Sequence, residues 1–183
     1  MSDYRMPPIG EFDVDDLASL PKEFRYELHA GNLLVMTPST YWHKLMARRL
    51  LLMLYAAGFE VLQDTGIRGD RPRDLRLPDL GVVAHLPTDV ADFSNLPGSA
   101  FQLIIEIVSE NSENGEYTEK ARWYAERSIS EYWIVDRDVE RSHDDAIVHL
   151  HRLALTGDLP HYVQVRSARL SELESEYRAK NEA

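Results

Sequence analysis

The stretch LIIEIVSE, residues 103–110, constrains the fold more than any other. Side chains alternate along a strand, so Leu103, Ile105 and Ile107 share one face and Ile104, Glu106 and Val108 take the other. Both faces are apolar apart from Glu106, which predicts a strand covered on both sides. An ionised carboxylate in such a place needs a cation, a metal or strong donors, or else it takes up a proton. For one isolated buried acid, a structural salt bridge is the simplest account.

The neighbouring segments supply the rest of an α/β domain with a mixed sheet. VDDLASLP reads as a short helix, and RYELHAGNLLVMTP as a hairpin turning at Ala30-Gly31-Asn32. STYWHKLMARRLLLMLYAAG is the clearest helix: Ser39 or Thr40 caps its start, Gly58 supplies its stop, and Met46, Leu50, Met53, Leu54 and Ala57 form its apolar stripe. FEVLQDTGI, DLGVVAHL, EYWIVD, AIVHLHRL and HYVQV read as strands, YTEKARWYAER as a second helix and SARLSELESEYRAK as a terminal one. No repeat or linker interrupts the 183 residues, which predicts one domain over 1–183, with its core at about 13–165 and a terminal helix at about 168–180.

Glu106 has company. Asp79 opens another apolar strand in LPDLGVVAHL, and if the two strands are neighbours their acids converge in an oxygen-rich pocket suited to a hard divalent ion. Lys120 lies on the helix that follows. Its four-residue spacing from Glu116 is that of a surface ion pair contributing roughly 0.2–0.5 kcal/mol, while beside the acids its ammonium can stabilise negative charge on a phosphate. Glu27, in RYELHAGNL, is most simply an exposed strand acid. His43 stands seven residues before Leu50, almost two turns, and so points with the buried stripe toward the sheet.

The succession RYELHAGNLLVMTPST, WH, LPDLGVV, LIIEIVSENS and EKARWYAERSISEYWIVD resembles the Uma-type putative restriction endonuclease family of the PD-(D/E)XK nuclease superfamily, from about Asp13 to Asp136. The resemblance implies a restriction-endonuclease-like mixed β-sheet flanked by α-helices. It also implies a metal-dependent endonuclease that hydrolyses DNA phosphodiester bonds, with Mg2+ or Mn2+ held by Asp79, Glu106 and the upstream acid Glu27. The general superfamily pattern places its lysine two positions after the glutamate, where this chain has Val108. The Uma-type pattern takes it from the next helix, where Lys120 matches, and His43 matches the family histidine. Glu110 in place of a common proline, Glu116 in place of an aspartate and Ser128-Ile129-Ser130 in place of a glycine-containing approach are departures from that pattern.

The net charge of -11 argues against casual assignment of a polyanionic partner, so the distribution of cations matters. Arg68, Arg71, Arg73 and Arg76 crowd the segment before Asp79, and Lys44 and Arg48 lie one helical turn apart; these are the candidate DNA contacts. A DNA cutter of this kind is expected as a homodimer, since two sites serve two strands. The absence of cysteine excludes disulfides, thiolate zinc sites and cysteine nucleophiles. With no apolar run of spanning length and no leader pattern, the expectation is a cytoplasmic protein that uses no membrane. A phosphate-cradling glycine loop and a GxSxG elbow are both missing. His149 and His151 share a strand face and, with His143 or His161, form a weaker candidate zinc site. The competing functional class is a catalytically silent binding or assembly module that keeps the fold.

Overall fold

A computed structural model describes residues 12–36, 38–86, 95–109, 115–155 and 159–181. The polar stretch after Ser109 falls largely outside these residues, as does the N-terminal leader. Among the described residues eleven strands form two sheets, with three α-helices against them.

The interior strand is β8 (Phe101–Ile107), and it sits inside the six-stranded sheet. On one side it pairs antiparallel with β6 (Leu80–Val83), which pairs with the edge strand β3 (Glu60–Gln63). On the other it runs parallel to β9 (Glu131–Asp136), followed outward by β10 (Ile147–Ala154) and β11 (His161–Arg169). The parallel step from β8 to β9 requires a crossover, and the helix α2 (Glu119–Glu126) provides it.

The alternation expected for β8 holds. Leu103, Ile105 and Ile107 join one apolar cluster with α1 (Tyr41–Ala56) and α3 (Leu170–Asn181), through Met46, Leu50, Leu54 and Leu173. Ile104 faces the opposite way, with Trp123 and Tyr124 of α2. Glu106 is on this second face. Helices therefore cover both faces of the strand, which is why its apolar residues run almost without interruption.

Local signals set the element ends. Thr40 Oγ1 accepts the backbone N–H of His43 at 3.2 Å and caps α1, and Gly58, at φ +84°, ends it with its N–H donating to Tyr55 O. The hairpin of β1 (Arg25–His29) and β2 (Asn32–Met36) turns on Ala30 and Gly31, both at positive φ, the geometry of a tight two-residue turn.

The second sheet is the main departure from expectation. FEVLQDTGI is not one strand: the chain breaks at Asp64, which adopts φ +53°, and β4 (Gly66–Arg68) leaves β3 for the other sheet. There β4 pairs with β5 (Leu75–Arg76) and β7 (Asn95–Pro97), and β5 pairs with β1. VDDLASLP forms a 3-10 turn at Asp15–Ser19 rather than an α-helix, and Leu17 helps bury Leu28 and Leu75. This five-stranded layer holds Glu27 against the main sheet.

Candidate active site

Three segments deliver the acids. Asp79 immediately precedes β6, whose register sets Leu80 opposite Ile105, so Asp79 lies near the end of β8. Its Oδ2 accepts the Ile107 N–H at 2.8 Å and stands 3.1 Å from His43 Nε2 at the start of α1. Glu106 is only 2% exposed. Its Oε2 takes Lys120 Nζ at 3.0 Å, and its Oε1 accepts the Tyr124 hydroxyl at 2.6 Å. Lys120 and Tyr124 are one helical turn apart on α2, so one face of that helix grips both oxygens. Glu27 on β1 is also buried, not the exposed acid its strand position first suggests. The Leu77 N–H donates to its Oε1 at 2.9 Å, and His29 Nε2 is 2.7 Å from its Oε2.

The electrostatics bind these groups into one unit. Burial pushes Glu106 up from 4.5 to about 8; Lys120 draws it back, while the charges on Asp79 and Glu27 raise it further. Burial alone would depress Lys120, but Glu106, Glu27 and Glu116 outweigh it and hold the ammonium protonated. Burial also opposes ionisation of Glu27, yet the His29 hydrogen bond, the Lys120 charge and the Leu77 N–H prevail and leave its carboxyl below the usual range. Tyr124 is kept neutral, by burial first and by Glu106 second, and so remains a donor.

The donor set is entirely hard oxygen, and the mutual repulsion of Asp79, Glu27 and Glu106 falls on a single buried lysine. That chemistry fits a divalent cation such as Mg2+ or Mn2+. Among the described residues, however, no three acid or imidazole side chains are gathered at ligand spacing; Lys120 contacts Glu106, and His43 contacts Asp79. The same statement covers His149 and His151, whose rings contact Ser167 Oγ and backbone carbonyls.

A groove of about 640 Å³ opens beside Asp79, and Lys44 and Arg48 of α1 line it with exposed side chains. Most of the other expected DNA contacts have different positions. Arg76 is 3% exposed: it donates to Leu28 O and Asp74, reaches Glu119 at 3.2 Å and packs over the Trp123 ring. Arg73 is spent on the carbonyls of Phe12 and Gly31, bracing the hairpin, and Arg68 pairs with Asp15 at 2.7 Å. Arg71 is exposed, on a different surface from Asp79, beside Asp13 and Ala30. These arginines are clustered in sequence, but the turn between β4 and β5 sends them apart.

The sequence profile of the Uma2 family, described as "Putative restriction endonuclease", matches residues 13–177. The chain belongs to this family. Among curated proteins nothing matches it. A solved structure of "a putative nuclease belonging to DUF820" from Anabaena variabilis ATCC 29413 superposes with a TM-score of 0.63 at 14% identity, covering 91% of this chain and 99% of that one. At that identity the likeness speaks for the fold, and it bears out the restriction-endonuclease-like sheet. In this Uma2 member, Arg25, Asp64 and Tyr124 stand at the site without having been singled out from sequence. Only Arg25 had a readable signal, since it lies two residues before Glu27 on the same strand face. Among the described residues no helix is long and apolar enough to cross a membrane.

Proposed function

We propose that this Uma2 member is a metal-dependent endonuclease that hydrolyses DNA phosphodiester bonds, with Mg2+ or Mn2+ held by Asp79, Glu106 and Glu27. One observation carries the reading: Lys120 reaches Glu106 from α2 at 3.0 Å, supplying from the helix the amine that Val108 cannot supply from the strand. When bound, the cation supplies Lewis-acid chemistry, offsetting phosphate charge and making water more acidic. Tyr124 fixes the Glu106 carboxylate, and His43 and the Ile107 N–H fix Asp79. Lys120 holds its ammonium beside Glu106, where it would stabilise charge developing on the phosphate. Lys44 and Arg48 serve as backbone phosphate contacts, since they line the groove at Asp79 and have no ion-pair partner among the described residues.

Cleavage of duplex DNA, measured with Mg2+, with Mn2+ and with chelator, tests the proposal. Activity is expected only with metal, and is lost in Asp79→Asn, Glu106→Gln and Lys120→Met proteins that stay folded. Full cleavage by all three removes the site. The alternative, a silent restriction-endonuclease-fold binding module, draws support from the closed Lys120–Glu106 pair and the net charge of -11. It predicts neither metal binding nor cleavage. Two sites in a homodimer remain part of the proposal, and sedimentation of the active protein checks them.

A further inference from the structure

Arg25 lies on β1, two residues before Glu27, and its guanidinium borders the groove that exposes Asp79. Its Nη2 stands 2.5 Å from Asp64 Oδ1 and 3.8 Å from Asp79 Oδ1. The approach to Asp64 is close but poorly aligned. Neither Nη2 nor Nε makes a hydrogen bond to any described residue, although both atoms are shielded from solvent. Buried guanidinium nitrogens without acceptors are rare in folded proteins, because each loses its water without replacement. Arg76 and Arg127 also each leave a buried Nε without a partner, but Arg76 spends its Nη1 on a carbonyl and a carboxylate, whereas neither Nε nor Nη2 of Arg25 makes an aligned hydrogen bond.

We infer that Arg25 is a phosphate-binding residue, holding a non-bridging oxygen of a DNA backbone phosphate next to Asp79. The inference rests on the nucleic-acid reading of the same groove. Three features carry it together. A planar fork whose Nε and Nη2 make no aligned hydrogen bond to the described residues suits the tetrahedral arrangement of phosphate oxygens better than a point charge does. Lys44 and Arg48, on α1, add two exposed cations to the same groove, where with Arg25 they balance Glu23, Asp64 and Asp79 on a chain whose total is -11. Asp64, held at φ +53° where β3 ends, places its carboxylate against the arginine and keeps the charge balanced when no phosphate is present. A phosphate displaces Asp64 as the partner of Arg25; no bond to the protein forms or breaks.

The experiment measures binding without catalysis. Fluorescence anisotropy of a labelled DNA duplex, in chelator and over a salt series, is compared for the wild-type protein, Arg25→Gln, Arg25→Lys and Asp64→Asn. Arg25→Gln is expected to weaken binding about tenfold and to flatten the log–log salt dependence by about one unit, the signature of one lost phosphate contact. Arg25→Lys keeps the slope and loses part of the affinity, because charge survives and the fork does not. Asp64→Asn binds more tightly. If Arg25→Gln does not fold, Asp64→Asn decides, since a purely structural ion pair predicts lower stability without tighter binding. Unchanged affinity and slope in folded Arg25→Gln, or no salt-dependent binding by the wild-type protein, overturns the inference. Arg25-dependent binding without cleavage under any metal leaves the inference standing and removes the nuclease reading. Asp79-dependent cleavage with wild-type binding by Arg25→Gln does the reverse.

Discussion

Replacing Lys120 with Met should destabilise the metal-free protein by an amount that grows with pH. In the native wild-type site Glu106 titrates at about 8 rather than 4.5, so its protonated form is the one that folding favours. Stability contributed by this raised carboxyl is complete below about 4.5 and is lost as pH climbs to about 8. Lys120 is the strongest influence drawing that value down, so its removal carries the Glu106 titration to still higher pH. The lysine's own raised pKa matters only above 10.5, outside the working range, and the lowered Glu27 matters only below 4.5. Between about pH 6 and about pH 9 the folded wild type releases a proton at Glu106 that the folded variant retains to higher pH, which makes the variant's deficit larger at the upper end, by on the order of 1 kcal/mol. That increment adds to the loss of buried ion-pair and hydrogen-bond contacts, which is on the order of 3 kcal/mol. Urea unfolding in chelator at both ends of the range measures it. A deficit that stays constant or shrinks with pH would refute the assignment of the proton to Glu106.

Two further outcomes follow from the same geometry. Added Mn2+ should raise the unfolding temperature, by more near pH 8 than near pH 6 because the cation competes with the Glu106 proton; thermal scans at fixed Mn2+ check it, and equal shifts would contradict the competition. Arg76→Ala should cost about 3 kcal/mol, by removing a buried cation from Leu28 O, Asp74 and Trp123, while leaving the salt slope of DNA binding unchanged; unfolding and anisotropy read the two effects separately.

The main sheet was legible because its strands are long enough to show alternation and to carry β-branched residues. β8 is the clearest case: one face reads onto α1 and the other onto α2. The second sheet was legible only in its β1–β2 hairpin. β4, β5 and β7 are two or three residues each, too short for a period, and they exist because distant partners supply their hydrogen bonds. The break at Asp64 fell within an apparently continuous strand pattern, since an aspartate can enter the left-handed region without a sequence mark.

The acids and the lysine were readable as an ordered set, but their partners were not. Tyr124 packs its ring in the core, yet its hydroxyl donates to Glu106. Arg76 read as a DNA contact because four arginines share nine residues; its actual environment comes from Leu28, Glu119 and Trp123, each remote in sequence. Arg25 shares the strand face of Glu27, but nothing in the sequence places Asp64 or Asp79 beside it.

In the proposed site Asp79 and Glu106 serve one divalent cation, and an anomalous difference map from a crystal grown with Mn2+ tests this directly. A peak is expected within coordination distance of both carboxylates, with Lys120 Nζ displaced from Glu106 Oε2. A map whose Mn2+ peaks all lie elsewhere, from protein that cleaves DNA under the same conditions, would contradict it.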